Sequence, residues 1–241
     1  MMQFFQDDSL FMAFYSKTGS GHLSRGQGNQ DRCQCGQIGS NTFYLALADG
    51  VSSAPYAEEG AEAAGQTIKI VSEDIAAGKT EIDNLKDLQN VIVRTWKSRF
   101  SAGWNDYAAT LNFIIFHDNK VLVGRLGDGL IVSEADSICH ISATDEEFYS
   151  TETAALGQAV SRRDFELCLY RAERSFCAYM VSDGIGKEIS IASREDLNRY
   201  LFRLSQTSGE QREQEIVAWV SGLDRKNGDD KTIGFIRWEE L

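Results

Sequence analysis

The sequence predicts an α+β protein with mainly antiparallel sheets, and two patterns support this prediction. Apolar runs of strand length follow one another through the middle of the chain, and Asp118-Asn119 between two of them is typical of a hairpin turn. Helical patterns come in pairs before and after these strands, instead of one after every strand. A doubly wound parallel sheet would need regular alternation of strands and helices, so the paired order favours antiparallel sheets.

The predicted strands are segments rich in apolar, β-branched and aromatic residues. Several are almost entirely apolar where a half-buried strand would alternate, which indicates sheets covered on both faces. The strands are Met12–Tyr15, Thr42–Ala48, Leu111–His117, Lys120–Leu126, Leu130–Ser133, Phe165–Arg171, Ser175–Ser182 and Thr232–Arg237.

Four longer segments have helical character. The first is Ala57–Ala76, and Asn84 is placed to cap the second, whose apolar residues recur at helical spacing. Ser193-Arg-Glu-Asp196 and Ser208-Gly-Glu-Gln211 resemble capping boxes, and the latter precedes a charge-rich helix over Gly209–Gly222.

The 241 residues suffice for one large hydrophobic core. Only one proline occurs, and no Pro/Ser-rich or like-charged stretch indicates a linker. We therefore expect a single domain over residues 1–241.

The net charge of −12 disfavours sequence-independent binding to nucleic acid or to an anionic membrane. No apolar run approaches the length of a membrane span, and the first residues lack the order of a secretory signal. Five cysteines without disulfide-module spacing favour reduced thiols and a cytoplasmic location. Cys33-Gln-Cys35 has no second Cys/His pair at the spacing of a zinc site.

Acidic residues end apolar runs at four places, each beside a glycine or a second aspartate: Asp49, Asp128, Asp183 and Asp229. A strand that ends in Asp-Gly leaves a carboxylate at the rim of a sheet, where the glycine permits a turn. Any one of these is an ordinary turn signal. Together with Asn29-Gln-Asp31 they indicate a cluster of hard oxygen ligands for Mg²⁺ or Mn²⁺.

Two divalent ions held by such a cluster can activate a water molecule and bind a phosphoryl group for in-line attack. No protein nucleophile is then required. Ser52-Ser53 has no nucleophile elbow around it, and Gly19-Ser-Gly21 lacks the rest of a phosphate-binding loop, including an immediately following helix.

The order of the motifs resembles the metal-dependent PP2C-type (PPM) protein serine/threonine phosphatases, in particular a compact bacterial branch. Gly21-His22 and Glu147–Thr153 point to that branch. The resemblance covers nearly the whole chain, and its five motifs are specific as an ordered set. They are Asn29-Gln-Asp31, Ala48-Asp-Gly50, Ala109-Thr-Leu111 leading to Leu126-Gly-Asp128, Val181-Ser-Asp-Gly184 and Gly228-Asp-Asp-Lys-Thr232.

The resemblance implies a four-layer α/β/β/α sandwich of two mainly antiparallel sheets, with two Mn²⁺ or Mg²⁺ ions at one end. It implies that Asp49 bridges both ions and that the Gly50 carbonyl binds one of them. Asp183 and Asp229 would complete the shell of the first ion. Asp31 would support the second, partly through water.

Asp128 and Asp183 match a position that some bacterial members use for a third, looser ion, although Gly127-Asp128-Gly129 also fits a plain tight bend. Asp230 is expected to cap or to face solvent. Val51 stands where some members have a histidine, so His22 is an alternative acid for the leaving oxygen. Arg25 is the nearest match to the phosphate-binding arginine, at a shifted spacing.

The implied activity is hydrolysis of phosphoserine or phosphothreonine on a phosphorylated protein substrate, with a serine/threonine kinase as partner and a monomer as the active form. Two alternatives stay open: a metal-free regulatory relative that binds phosphorylated partners without turnover, and a dimetal phosphatase of small metabolites. The segment Ser142–Arg163, with Arg162-Arg163, is predicted to meet the substrate.

Overall fold

The computed structural model describes residues 2–7, 9–142, 154–158, 164–223 and 227–240. They form two antiparallel sheets that pack face to face, with a pair of helices on each outer face, which confirms the predicted α/β/β/α sandwich. Glu147–Thr153 and Arg162-Arg163, which carry part of the sequence predictions, lie outside these residues.

The first sheet has six strands in the order β1-β2-β11-β10-β7-β8. Their bounds are β1 Met2–Gln6, β2 Leu10–Lys17, β7 Leu130–Ala135, β8 Ile138–Ser142, β10 Ser175–Val181 and β11 Lys231–Glu239. The second sheet has five strands in the order β3-β4-β5-β6-β9. Their bounds are β3 Asp31–Ile38, β4 Thr42–Asp49, β5 Leu111–His117, β6 Lys120–Leu126 and β9 Phe165–Arg171.

The longer helices are α2 Ala57–Ala76 and α3 Leu85–Lys97 on the second sheet, and α5 Arg194–Ser205 and α6 Gly209–Leu223 on the first. Two short helices, α1 Ser20–Ser24 and α4 Asp183–Gly186, lie between strands. A helix therefore does follow Gly19, contrary to the sequence-based expectation. Five and four residues are too few to give a visible periodicity.

Strand β4 shows why several strands are apolar throughout. Phe43, Leu45 and Leu47 point into the layer between the sheets, whereas Tyr44 and Ala46 point toward α2 and α3. Since neighbouring side chains of a strand face opposite ways, a central strand of this sandwich is buried on both faces.

Three strands were not predicted, and all of them are edge strands: β1 and β8 in the first sheet and β3 in the second. An edge strand with one open side needs fewer apolar residues, and β3 is mostly half-buried. Its weak pattern, Asp31-Arg-Cys-Gln-Cys-Gly-Gln-Ile38, therefore resembles a loop.

Two of the three predicted helix caps form. The side chains of Asn84 and Ser208 accept hydrogen bonds from the backbone N–H groups of Asp87 (3.2 Å) and Gln211 (3.3 Å). Ser193 does not cap α5, because its hydroxyl pairs with that of Ser190 at 2.7 Å within a preceding 3₁₀ turn. The hairpin turn at Asp118-Asn119 is confirmed, since both residues have positive φ.

No helix in the described ranges is long and apolar enough to cross a membrane.

Candidate metal centre

Five of the six predicted ligands line one cavity of about 150 Å³ at one end of the sandwich. Antiparallel pairing brings strand ends and strand starts together there: Asp49 ends β4, Asp128 joins β6 to β7, Asp183 follows β10, and Asp229 precedes β11. The full lining is Asp49, Gly50, Val51, Ser52, Thr110, Asp128, Asp183 and Asp229.

The backbone of Asp49 is fixed by Thr110 through two hydrogen bonds. The Asp49 N–H donates to the Thr110 hydroxyl at 2.9 Å, and the Thr110 N–H donates to the Asp49 carbonyl at 2.8 Å. Asp31, the first residue of β3, lies directly opposite Asp49 in the β3–β4 ladder. Two carboxylates thus stand side by side at the rim of the second sheet.

Asp183 uses its two carboxylate oxygens differently. Oδ2 accepts a hydrogen bond from Lys187 Nζ at 2.5 Å, one turn further along the chain, whereas Oδ1 is buried without a hydrogen-bond partner. Gly184 lets the next segment approach, because a Cβ at this position would lie 2.0 Å from the Asp230 carbonyl oxygen. That close approach places Asp229 beside Asp183.

The loop before β11 is held by a buried ammonium group. Lys231 is fully buried, and its Nζ donates to the Asn227 carbonyl (2.9 Å) and the Asp229 carbonyl (2.8 Å). The Asn227 amide donates in turn to the Gly184 carbonyl at 3.1 Å. These bonds orient Asp229, although no role was predicted from the sequence for the side chain of Lys231 or of Asn227.

Asp128 lies in a tight bend and also lines the cavity, so the bend brings its carboxylate to the other acidic residues. The buried Arg125 guanidinium donates to the Gly127 carbonyl at 2.7 Å and to both carboxylate oxygens of Glu166 at 3.1 and 2.7 Å. Arg125 thereby fixes the turn that carries Asp128.

Asp31 is only 2% exposed, and neither of its carboxylate oxygens has a hydrogen-bond partner. Burial raises the pKa of Asp31 to about 7. The side chains of Thr232 and Ser182 act in the opposite direction, and the nearby carboxylates of Asp230 and Asp183 add to the rise. Asp31 lines a groove beside the small cavity, along the open edge of β3.

Asp49 is close enough to four other carboxylates for their charges to act on it. Burial raises its pKa well above the usual range, and four further carboxylates contribute to the rise: Asp31, Asp183, Asp229 and Asp128. The pKa of Asp229 is also raised, by burial and by Asp183, with Lys187 acting in the opposite direction.

Unpartnered buried oxygens and mutually repelling carboxylates are the donor set that fits hard divalent cations. The side chains are not closed around an ion. Within the described ranges, no three His, Cys, Asp or Glu side chains are placed to hold one ion together, and one oxygen of Asp183 is bound by Lys187 instead.

Asp230 and His22 have structural roles, which decides between the alternatives that the sequence left open for each of them. Asp230 is buried, not solvated, and it accepts hydrogen bonds from the N–H groups of Gly19 (2.8 Å) and Gln30 (2.7 Å). The His22 ring pairs with the same carboxylate at 2.8 Å. Because His22 is buried against Asp230 and does not line the cavity, it is not placed to protonate a leaving group there.

Arg25 is exposed on the turn after α1, and its Nε donates to the Gln27 side chain at 2.6 Å. It is not among the residues that line the cavity. Val51 does line the cavity, with its N–H bonded to the Ala108 carbonyl at 2.9 Å.

Solved structures of the same fold include bacterial phosphatases. The crystal structure of RsbX in complex with magnesium is similar to this chain at 13% identity and a TM-score of 0.67, and the match covers 99% of this chain and 100% of that one. The crystal structure of the catalytic domain of the serine/threonine phosphatase PstP in complex with two manganese ions is similar at 18% identity and a TM-score of 0.64, and the match covers 96% of this chain and 99% of that one. A third similar structure is that of the serine/threonine phosphatase Stp1 from Staphylococcus aureus, at 15% identity and a TM-score of 0.65, with a match that covers 95% of this chain and 94% of that one. At these identities the likeness shows the fold.

A search of curated protein sequences gives no significant match. The family model described as protein phosphatase 2C matches residues 18–221. Because that match spans most of the 241 residues, the chain belongs to the protein phosphatase 2C family.

Proposed function

We propose that this chain hydrolyses phosphoserine and phosphothreonine on proteins, with two Mn²⁺ or Mg²⁺ ions. The observation that carries the proposal is the convergence of Asp49, Asp128, Asp183 and Asp229 on one cavity, with Asp31 beside it. Magnesium or manganese in the structures of RsbX and PstP supports the choice of ions.

Each carboxylate has a role that its position supports. Asp49 is paired with Asp31 across the β3–β4 ladder and lines the cavity together with Asp183 and Asp229, which supports a role for it at both ions, and the Gly50 carbonyl would bind one of them. Asp183 and Asp229 would hold the first ion and Asp31 the second. When bound, the ions supply the charge that activates a water molecule and neutralises the phosphoryl group.

The rest of the chain positions these ligands. Thr110 fixes Asp49, Lys231 and Asn227 fix the loop of Asp229, and Arg125 fixes the turn of Asp128. Such supporting bonds hold ligands in one orientation, and their loss typically costs about 10- to 100-fold in metal affinity or activity.

The test is phosphate release from phosphothreonine peptides with Mn²⁺, with Mg²⁺ or with a chelator. We expect release with either ion and none with the chelator. Asp49→Asn and Asp183→Asn should each abolish release while circular dichroism shows an intact fold, and Asp196→Asn, on the exposed face of α5, should leave it unchanged. Unchanged turnover in both cavity variants would contradict the proposal.

A binding function without turnover is the second candidate. It is favoured by the exposed position of Arg25, outside the cavity, and by the contact of Lys187 with Asp183. The same assay decides: phosphopeptide binding without phosphate release, in the presence of Mn²⁺, would favour this candidate. Faster turnover of small phosphate esters than of any phosphopeptide would favour a metabolite phosphatase.

The cellular setting is part of the proposal. We expect a monomer in the cytoplasm that acts on proteins phosphorylated by a serine/threonine kinase. Cysteine usage and net charge support this setting, because five unpaired thiols suit a reducing compartment and the acidic surface disfavours nucleic acid.

A further inference from the structure

The two sheets end differently at the edge where β3 lies. Among the described residues the first sheet has six strands and the second has five, and the edge strand β3 packs on β2 of the first sheet. The outermost strand of the first sheet, β1, therefore extends beyond β3. Helix α2 packs on the other face of β3. The open side of β3 thus lies in a groove between β1 and β2 on one side and α2 on the other.

The groove has a volume of about 820 Å³, against about 150 Å³ for the acidic cavity. Pockets of about 300–1,000 Å³ hold ligands of drug size. The floor of the groove comes from the first sheet, with Gln3 of β1 and Phe14 of β2. The roof comes from α2, with Gln66 and Lys69. The groove therefore has room for part of a peptide, with β3 as its back wall.

Strand β3 turns every second set of backbone groups toward the groove. The Gly50 N–H donates to the Gln30 carbonyl at 3.2 Å, which fixes the hydrogen-bonding phase of the β3–β4 ladder. In such a ladder, residues that bond to the partner strand alternate with residues that do not. The N–H and C=O groups of Cys33, Cys35 and Gln37 therefore point away from β4, and no residue that the structure describes bonds to them. An unpaired strand edge of this kind is a template for an added strand.

The shape of the groove favours a single extended chain over a second copy of the protein. Two sheets can join edge to edge only if both edges are free of neighbouring layers. Here β1 lies below the open side of β3, and α2 lies above it. A folded second copy would bring its own β1 and α2 into the same space, whereas one extended segment needs only the groove.

The groove is continuous with the acidic cavity through Asp31. Asp31 begins β3 and lines the groove, and it lies opposite Asp49, which lines the cavity. Opposite residues that do not exchange hydrogen bonds have Cα atoms about 4.5 Å apart, and an extended chain rises about 3.3 Å per residue. A chain with one residue in the cavity therefore reaches the groove within a few residues.

The charges of the groove do not repel a phosphorylated chain. Arg99 donates to the Gln66 side chain and has no acidic partner among the described residues. The basic and acidic side chains that line the groove balance, whereas the whole chain carries a net charge of −12. They are Arg32, Lys69, Arg99, Asp31, Glu62 and Glu73.

We propose that this groove binds an extended segment of the phosphorylated protein substrate as an added strand beside β3. The segment flanks the residue whose phosphate enters the metal centre. Its side chains alternate between the floor, where Phe14, Cys33 and Cys35 favour apolar groups, and the roof, where Gln66 and Arg99 favour polar or acidic groups. The inference rests on the proposed function and narrows its substrates to phosphorylated segments in extended conformation.

The first test compares phosphothreonine peptides in the presence of Mn²⁺. A short peptide has about two residues on each side of the phosphothreonine, and a long one has a flank on each side that matches the eight residues of β3, with apolar and polar residues in alternation. We expect KM to be about tenfold lower for the long peptide, the effect of one or two net hydrogen bonds, with kcat nearly unchanged. A long peptide of the same composition without the alternation is the control and should resemble the short one.

Backbone methylation of the peptide tests strand addition directly. Two further long peptides carry N-methyl groups on opposite sets of alternate flanking residues. Only every second N–H of an added strand faces β3, so one set should abolish the gain in KM and the other should keep most of it. This measurement uses the wild-type protein and does not depend on the folding of any variant.

A proline variant tests the protein side of the contact. Gln37→Pro removes an N–H that points into the groove, and it should raise KM for the long peptide while KM for the short peptide stays unchanged. Arg171→Pro is the matched control at the opposite edge of the same sheet. The bond from the Ala172 N–H to the Asn119 carbonyl (2.9 Å) shows that the Arg171 N–H also points away from its neighbouring strand. Arg171→Pro should leave both KM values unchanged.

Equal KM values for the short and the long peptide, or equal effects of the two methylation patterns, would overturn the inference and leave the proposed function standing. Phosphate release from neither peptide would contradict the proposed function. Fluorescence anisotropy of the labelled long peptide then tests the groove alone: binding that Gln37→Pro weakens would support the groove, and absence of binding would overturn it.

Discussion

The acidic cluster has two sides, Asp183 with Asp229 in the cavity and Asp31 beside it, which contain the same type of side chain but differ in the charged groups around it. On one side Asp183 pairs with Lys187, and the loop of Asp229 is held by the ammonium of Lys231. On the other side Asp31 is buried, and neither of its oxygens has a partner. Its pKa rises to about 7, first of all through burial.

The comparison shows that the two parts of one acidic cluster are stabilised in different ways. The side with two lysines is held in shape by the chain itself. On the side of Asp31, burial makes the charged carboxylate unfavourable, and binding of a proton or a cation would relieve this cost. We therefore expect the Asp31 side to respond to pH and to metal more than the Asp183 side does.

The largest expected effect is a difference in kcat/KM between a variant of Asp183 and a variant of Asp31. Asp183→Asn removes a predicted direct ligand and should lower kcat/KM by more than the roughly 100-fold that loss of a supporting partner costs. Asp31→Asn should cost less, because Asp31 is expected to act partly through water, and excess Mn²⁺ should restore part of the loss. Assays with p-nitrophenyl phosphate over a range of Mn²⁺ concentrations measure both. The reverse order of the two losses would contradict the assignment.

Lys231→Met breaks the internal support of the first side. Its ammonium satisfies buried carbonyl oxygens of Asn227 and Asp229, and each buried polar group left unsatisfied costs about 1–3 kcal/mol. We expect the free energy of unfolding, measured with urea, to fall by about 3 kcal/mol. Lys187→Met should cost less, because Lys187 is one-third exposed. Equal losses would show that the buried bonds of Lys231 contribute no more than the partly exposed contact of Lys187.

The Asp31 side predicts a pH dependence of the metal-free protein. The pKa of Asp31 is about 7 in the folded chain against an ordinary value of 3.8, so folding favours its protonated form. That contribution to stability is fully present below about pH 4 and is lost as the pH rises through about 7. In a chelator, the melting temperature should therefore fall over this range.

Asp31→Asn should remove most of that fall, and Mn²⁺ should reverse it in the wild type. Asp196→Asn, exposed on α5, should retain it. If the melting temperature of the metal-free protein does not change between pH 5 and pH 7.5, the unfavourable burial of the charged Asp31 carboxylate is contradicted.

The smallest effect concerns the turn of Asp128. Glu166 is half exposed and pairs with the buried Arg125, and exposed ion pairs contribute about 0–1 kcal/mol. Glu166→Gln should therefore lower stability by less than about 1 kcal/mol and leave activity near that of the wild type. A large loss of activity would show that Arg125 depends on Glu166 to hold Gly127.

The features that could be predicted from the sequence are those with a local pattern of residues. Apolar runs such as β4 were visible because burial on both faces leaves few polar residues, and the Asp-Gly ends were visible because each is a local signal. Edge strand β3 was missed because one open side relaxes its pattern. The ordered motifs then indicated which strand ends to bring together.

The supporting residues could not be found in this way, because their partners are set by the fold. Lys187 is four residues after Asp183, a helical spacing that is meaningful only once the four-residue helix α4 is known. His22 and Asp230 are paired across 208 positions of the chain. Lys231 stands in the quoted motif, yet nothing local distinguishes its buried ammonium from a solvated one.

The most direct test of the metal centre is a crystal structure grown with Mn²⁺, with anomalous scattering measured at the manganese edge. We expect two anomalous peaks that share Asp49, one beside Asp183 and Asp229 and the other beside Asp31, with Lys187 still bound to Asp183. Crystals grown at saturating Mn²⁺ that show no anomalous peak in this cavity would contradict the account.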